Sequence, residues 1–398
     1  MKHKKFNRII PLIQIPSFSI MTRFLLFLTS IYILSACNPS SKLQNKAIRD
    51  LEDLDLLLQK VRLQYNMPAM AAAVISKNEI KAIGVTGVRQ INHKDKVKLQ
   101  DRFHMGSTTK AITAHWAAAL VESEFITWET KILDVFPYWK DDALKTYHDI
   151  SLSDLLCHKG RIQPFTSAVD LASLPNFPGN PMEKRRLFAK WLLKQNPAKV
   201  GNQAGYVYSN AGYSIAAAML EKVSETAWEE AILSDVLVPL GIDAAIGWPT
   251  DSDPNQPFGH HSSNPLDSNL RAVTALNMFH MEDIIAPSGD LSMSVVDYAK
   301  FVQAHLQGLQ GKDNVLKAST YDYVHYGREN YAMGWTRLFR NGVHTSTHNG
   351  SAGTFYSHTS ILKEKDLAIV IFVNASNIYA AKAVYTLKKR LLEIYDKE

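Results

Sequence analysis

The stretch Phe103-His104-Met105-Gly106-Ser107-Thr108-Thr109-Lys110, running on into an alanine-rich segment, carries the reading of this chain. Residues Ala111–Leu120 predict a helix, and its neighbours are apolar nearly all round, the pattern of a buried helix. Ser107 then sits at or near the first turn. Unpaired backbone N–H groups there, with the positive end of the helix dipole, favour a developing oxyanion. Lys110 follows three residues on, on the same face and about a turn away. A neutral lysine beside a serine takes its proton and activates it. An unperturbed lysine has a pKa of about 10.4, so a working base near neutrality needs it lowered by ~3 units through desolvation or neighbouring cations. Alone, S-x-x-K also fits a serine helix cap with a surface lysine. A second copy, Ser360-Ile-Leu-Lys363, lies in a strand-like run where positions i and i+3 face opposite ways, and is read as structural.

Two further segments bear on the same chemistry. In Gly205-Tyr206-Val207-Tyr208-Ser209-Asn210-Ala211-Gly212-Tyr213, an extended or looped backbone would point Tyr208 and Asn210 into one pocket. Tyrosine passes a proton, and asparagine both donates to and accepts from an amide. Of the sixteen tyrosines only Tyr208 has asparagine two residues on. The other reading is an ordinary turn before a helix. His348-Asn349-Gly350-Ser351 closes a strand-like run. Gly350 lets a ligand approach the backbone, the N–H of Ser351 offers a second oxyanion donor, and His348 would orient or polarise a substrate. By itself this segment also reads as a hairpin turn.

Outward from these motifs, residues 43–64 read as a helix, and Ala69–Ile75 and Ile80–Val85 as strands. The middle is helical in pattern, over Ser151–Leu156, Leu187–Leu193, Gly212–Val223 and Trp228–Leu237, followed by an irregular polar loop at 248–271. Ser294–Gln307 is helical again. Four strands follow, Tyr331–Phe339, His344–His348, Phe355–Leu362 and Leu367–Val373, and a helix over Ile378–Ile394 closes the chain. The expected fold is α/β of the α+β type: an antiparallel sheet built from both chain ends and flanked by helices, plus a mostly helical central region. One catalytic domain is expected over 46–398, its α/β part at 46–106 and 287–398 and its helical part at 107–286, with a cleft between them.

The first residues differ from the rest. Lys2, Lys4, Lys5, Arg8 and Arg23 precede or enter an apolar run from Phe24 to Ala36, with no acidic side chain. They account for most of the formal charge of +6, so the remainder is nearly neutral and no nucleic-acid partner is expected. The run has the length of a signal h-region and is short for a bilayer span of ~20 residues. An uncleaved anchor or a buried helix is the other reading. Met21 directly before the run is a second candidate start.

Taken together, Gly106-Ser-Thr-Thr-Lys110, Tyr208-Ser-Asn210 and His348-Asn-Gly350 resemble the S-x-x-K, Y-x-N and K-T-G or H-x-G motifs of the serine β-lactamase-related and penicillin-binding family. Val238-Pro-Leu-Gly241, Pro287-Ser-Gly-Asp-Leu291, Met333-Gly-Trp335 and Leu155-Leu-Cys-His158 add to the resemblance, which spans roughly residues 50 to 390. It implies a β-lactamase/transpeptidase-like fold and an acyl-enzyme on Ser107. Lys110 would be the activating partner and Tyr208 the proton shuttle and deacylation base. Asn210, His348, Gly350 and Ser351 would bind substrate. The implied substrate is a D-alanyl-D-alanine peptide, another D-amino-acid amide, a β-lactam or a small ester, and no cofactor or metal is implied. Leu34-Ser35-Ala36-Cys37 resembles the bacterial lipoprotein box, which implies a signal peptide over 1–36, a lipidated Cys37, a tether over 37–45 and an exported, membrane-anchored monomer in the cell envelope. The chain departs from the family at His158-Lys159-Gly160, where H-T-S-G is usual, and at Asn349, where a threonine or small residue is usual.

Three rival readings come from other classes. A zinc hydrolase would draw on His344, His348 and the pair His260-His261, yet no H-E-x-x-H pattern is present. A cysteine nucleophile would be Cys157 beside His158, although a lone cysteine in an apolar run is usually core. A non-catalytic envelope protein would keep the fold as a binding or sensor module.

Overall fold

Strand β1 (Ala69–Ile75) is buried at every position, and so is β11 (Leu367–Val373). Unbroken apolar runs of this kind fill the middle of a sheet covered on both faces. The two strands pair antiparallel from Met70↔Val373 to Ile75↔Ala368, which joins the two ends of the chain. Around them a six-stranded antiparallel sheet runs in the order β2-β1-β11-β10-β9-β8. Here β2 is Ile80–Gly87, β8 Thr336–Arg340, β9 Val343–Ser351 and β10 Tyr356–Leu362. The structure is a computed structural model that describes residues 54–172, 174–200, 205–264, 266–273 and 281–396, all within the compact unit Leu43–Glu398. The signal segment, Cys37 and the tether lie outside the described residues.

The two faces of the sheet are divided by residue parity, as pleating requires. Ala69, Ala71, Ala73, Val370 and Phe372 join the core shared with the central helices. Met70, Ala72, Val74, Ile369 and Ile371 pack against residues of the helical segment 54–64 and of the closing helix Ile378–Tyr395. The expected sheet from both chain ends is therefore present, and it is the middle layer of three.

Central helices form where expected, with bounds adjusted by their caps. Ser151, Ser209 and Ser294 each accept a backbone N–H as N-caps of Leu152–Leu156, Asn210–Ser224 and Val295–Leu309. Trp228–Leu237 is α-helical only to Ala231 and then widens into a π-turn over Ile232–Leu237. Some features went unread in the sequence, the strands of the small second sheet described below among them. The helix Ala318–Tyr326 has weak periodic contrast and is held by Tyr321, which packs so tightly on Gly308 that a β-carbon there would collide with its ring. The polar loop at 248–271 contains strand β5 (His260–His261), paired with β6 (Arg271–Ala272). Distant partners make that hairpin: the His260 ring accepts the Ile91 N–H at 3.0 Å and meets the Asn374 carbonyl at 2.7 Å.

A small second sheet positions the site. Strand β7 (Leu291–Ser294) lies between β3 (Arg102–His104) and β4 (Ala244–Ile246). Pairing of β3 with β7, extended by Met105 N–H to Leu291 O at 2.8 Å, brings the Ser107 turn beside the 283–288 turn.

Three histidines are buried in a line between the Thr109–Glu122 helix and the two helices packed on it. His115 Nδ1 lies 3.1 Å from His305 Nε2, and His305 Nδ1 lies 2.8 Å from His325 Nε2. Burial pushes His115 and His325 from 6.5 down to about 3, and His305 is also driven well below its usual value. Such groups bind protons more readily when unfolded, so their stabilising neutrality is complete above pH 6.5 and is lost as pH falls toward 3. The expected result is a urea midpoint that drops between pH 7 and pH 5, as the unfolding free energy falls by up to about 1.4 kcal/mol per pH unit for each proton taken up on unfolding. A midpoint unchanged over that interval would contradict neutral burial.

Candidate active site

Gly106 adopts a left-handed conformation, φ +52°, which turns the chain out of β3 into a single 3₁₀ turn over Gly106–Thr108 and then into the helix Thr109–Glu122. Ser107 thus stands on the 3₁₀ turn ahead of the α-helix. The end of β9 presses on this turn from the side. A β-carbon on Gly106 would collide with the Ser351 backbone, and one on Gly350 with the Met105 carbonyl. Two glycines facing each other therefore let the Ser351 backbone approach the serine turn.

Lys110 is fully buried. Its Nζ lies 3.2 Å from Ser107 Oγ, 2.8 Å from Asn210 Oδ1 and 2.8 Å from the Ser288 carbonyl. Burial alone drives its pKa well below 10.5, and among the described residues no carboxylate offsets it. Two of its three neighbours are carbonyl oxygens, which only accept, whereas the serine hydroxyl serves in either direction. A neutral amine therefore spends its two N–H bonds on Asn210 and Ser288 and turns its lone pair to Ser107. The Tyr208 and Tyr213 rings lie 4.8 and 5.3 Å from Nζ.

Tyr208 and Asn210 flank Ser209, whose extended backbone caps the Asn210–Ser224 helix. This is the non-helical backbone that lets both reach one point. Burial raises the Tyr208 phenol pKa, and a hydrogen bond with Ser107 works against that rise. The phenol is thus held neutral.

His348, Gly350 and Ser351 lie on β9, but they are not equivalent. Ser351 lines a cavity of about 260 Å³ together with Gly106, Ser107, Asn210, Ser288 and Phe165. His348 lies behind it. Its Nδ1 donates to the Asn349 carbonyl at 2.7 Å, which leaves Nε2 to accept the Tyr331 hydroxyl at 2.9 Å. Burial, and then the nearby Lys110, bring its pKa down to about 3. Both nitrogens are committed to protein groups, so His348 braces the strand instead of presenting a free donor to a substrate. Asn349 points to the other sheet face, where its Oδ1 meets His358 Nδ1 at 2.6 Å.

Three contributors escaped sequence reading. The Ser288 carbonyl holds Lys110, and its motif Pro287-Ser-Gly-Asp-Leu291 carried no assigned role. His158 fastens the Tyr208 segment on both sides: its carbonyl accepts the Val207 N–H at 2.8 Å and its Nδ1 the Ser209 N–H at 3.1 Å. Its ring lies 4.3 Å from that of Tyr208. Tyr331 bridges to His348, and nothing in its spacing marks it among sixteen tyrosines.

The side chains named by the rival readings are committed to other partners. Cys157 is buried with its thiol pushed up to about 12 and its sulfur 3.8 Å from Met333 Sδ. His344 pairs with Glu364 at 2.7 Å. Among the described residues no group of three or more His, Cys, Asp or Glu side chains is arranged to hold a metal ion. In the second S-x-x-K copy, Ser360 is buried on β10 and Lys363 pairs outward with Asp322 at 2.8 Å.

The arrangement agrees with comparisons to known proteins. Residues 45–388 match the family model described as Beta-lactamase. The chain is 23% identical over 367 residues to unguisins hydrolase ungD of Aspergillus violaceofuscus (strain CBS 115571), covering 81% of this chain and 61% of that protein. Penicillin-binding protein 4 of Amycolatopsis lactamdurans is 21% identical over 338 residues, covering 79% of this chain and 82% of its own. The chain spans about three-fifths to two-thirds of the length of the unguisins hydrolases it matches. The class C β-lactamase of Rhodobacter sphaeroides superposes with a TM-score of 0.66 at 16% identity, over 85% of this chain and 98% of that one. On the match across 45–388, with Ser107 and Lys110 in contact at its centre, this chain belongs to the β-lactamase family of serine hydrolases.

Proposed function

We propose that this protein hydrolyses an amide or ester through a Ser107 acyl-enzyme, acting as a D-alanyl-D-alanine carboxypeptidase, D-amino-acid peptidase or β-lactamase-like enzyme. The observation that carries the reading is the fully buried Lys110 amine, directed at Ser107 Oγ with no counter-ion among the described residues. In the proposed cycle Lys110 accepts the Ser107 proton as Oγ attacks the carbonyl. The N–H groups of Ser107 and Ser351 receive the oxyanion; the facing glycines 106 and 350 support this by bringing the two backbones together. Tyr208, a neutral phenol beside Ser107, relays the proton to the departing atom, and water then releases the acid. The raised phenol pKa favours this relay over a standing phenolate base. Similarity to a penicillin-binding protein and to proteins named as unguisins hydrolases supports hydrolysis of a carbonyl substrate, with an ester as the alternative to an amide.

Ser107→Ala is expected to abolish covalent labelling by a fluorescent penicillin or an activated ester, read on a denaturing gel. Labelling that persists would remove the scheme. A stoichiometric burst in the unaltered protein with no subsequent turnover would favour the non-catalytic sensor reading. Acylation should rise with pH to a plateau whose midpoint lies well below 10.5, since Lys110 must shed its proton to act. In Lys110→Ala that limb should disappear and the rate fall by about 10²- to 10⁴-fold.

We also propose that residues 1–36 are a signal peptide and that Cys37 carries a lipid, anchoring a monomer in the bacterial cell envelope. The basic segment, the apolar run and the Leu34-Ser35-Ala36-Cys37 box support this. Full-length protein expressed in bacteria should enter the detergent phase of a Triton X-114 partition, and Cys37→Ala should move it to the aqueous phase. Equal partition of the two would reject the anchor.

A further inference from the structure

Behind the main sheet, the helical segment 54–64 and the closing helix Ile378–Tyr395 share one layer, linked by a hydrogen bond of 2.7 Å between the Tyr65 and Thr386 hydroxyls. Each buries one stripe against the sheet: Leu54, Leu58 and Val61 on the first, Ala380, Val384, Leu387 and Leu391 on the second. On an ordinary surface helix the opposite stripe is polar. Here it is not. Leu56 and Leu63 stand 65% and 61% exposed, Tyr385 70% and Ile378 39%. Lysines are interleaved with them. Lys60 falls between the two leucines, and Ile378, Lys382, Tyr385 and Lys389 recur at helical spacing on a single outward face.

The charge on this surface is positive. Among the described residues Lys60, Lys382 and Lys389 are exposed and make no ion pair, whereas the acids beside them are occupied. Glu393 pairs with Arg390 at 2.8 Å, Asp396 pairs with Lys365 at 3.1 Å, and the Asp55 carboxylate is turned against Gly84 of β2. A groove of about 450 Å³ follows the closing helix past Tyr385, Lys388, Lys389 and Leu392 and reaches Glu393 and Asp396. Connectivity adds a further observation. The chain enters the described fold at Leu54, on this layer, seventeen residues after Cys37. That link spans at most ~60 Å when fully extended. A lipid on Cys37 would therefore hold this layer at an effective concentration on the order of millimolar near the bilayer, where a weak affinity is enough.

We propose that the outer face of these two helices docks on an anionic bilayer, with Leu56, Leu63 and Tyr385 entering the headgroup region and Lys60, Lys382 and Lys389 meeting lipid phosphates. The inference rests on the lipid-anchor reading above for its local concentration. Tyrosine and lysine suit that boundary. An amphipathic ring sits at headgroup level, and a long aliphatic stem carries its ammonium to the phosphates. Each lysine near an anionic surface strengthens binding by about fivefold. The consequence for function follows from the order of the layers. Met105 and Ala111, on either side of the Ser107 turn, belong to the core on the opposite face of the sheet. Docking through the back layer therefore turns the Ser107 cleft away from the membrane, toward substrate in the space beyond it.

Fluorescence quenching tests the orientation. The full chain, purified from bacterial membranes and reconstituted in vesicles of phosphatidylglycerol and phosphatidylethanolamine, would carry a fluorophore on Gln59→Cys. That position is exposed on the outward face and leaves every proposed contact in place. Thr146→Cys, exposed in the helical half, is the control. A nitroxide on the lipid headgroup is expected to quench the probe at 59 about twofold or more, as for a face within ~5–10 Å of the headgroup boundary, and to leave the probe at 146 unchanged. Quenching at 59 should fall to the control value in Lys60→Gln/Lys382→Gln/Lys389→Gln and at about 1 M salt. Equal quenching at both positions, none at 59, or quenching that survives the triple substitution would each overturn the docking face. The parent chain reports the anchor separately. Cys157 is buried, so a parent chain that takes the label and enters the aqueous phase of Triton X-114 has an unlipidated Cys37. The anchor reading then fails. The docking face would be judged in the Cys37→Ala background, where vesicles added in excess must still quench the probe at 59 through the three lysines.

Discussion

The placement of one buried amine, with no counter-ion among the described residues, governs the rest of this site. Lys110 is removed from water and given only oxygens of Ser107, Asn210 and Ser288. An uncompensated buried charge costs several kcal/mol, so the surroundings favour the neutral base. Its three partners come from three separate parts of the chain, and each is fixed by a different device. The left-handed Gly106 turns Ser107 back onto the helix start, the Ser209 cap starts the helix that carries Asn210, and β3–β7 pairing brings in the 283–288 turn.

Rigid layers pay for that placement. The sheet is packed on both faces, and the Thr109–Glu122 helix is buried almost throughout, so the site rests on elements with little freedom to shift. Thr113 extends the same logic one turn along: its hydroxyl donates to Pro287 O at 2.7 Å and accepts the Trp228 indole N–H at 3.0 Å. By contrast the 158–165 loop stores local strain, with His158, Arg161 and Phe165 in left-handed backbone. It is held by hydrogen bonds to the segment it braces, so positioning of Tyr208 and the shape of the cleft are coupled through the same contacts.

Much of the scaffold was legible in the sequence because burial leaves a pattern. Ala69–Ile75 and Leu367–Val373 appear with the bounds read from their composition, since a strand covered on both faces is apolar at every position. The β5–β6 hairpin and the Ala318–Tyr326 helix were not legible. Their stability comes from partners far along the chain, His260 with Asn374 in one case and Tyr321 with Gly308 in the other. The short motifs divided in the same way. S-x-x-K and Y-x-N named residues that do converge, whereas the H-x-G histidine is turned by Tyr331 and its own backbone into a brace.

Sequence by itself determined the chemistry available: a serine ahead of a buried apolar helix, a lysine one turn on, and a tyrosine and asparagine in capping backbone. These follow from local rules of helix periodicity, capping and glycine conformation, which act over a few residues. Tertiary structure alone decided that the amine has no counter-ion among the described residues, which nitrogen of His348 carries the proton, and that His158 and Tyr331 brace the site. Those outcomes depend on desolvation and on contacts between residues tens to hundreds of positions apart, and no local pattern records either.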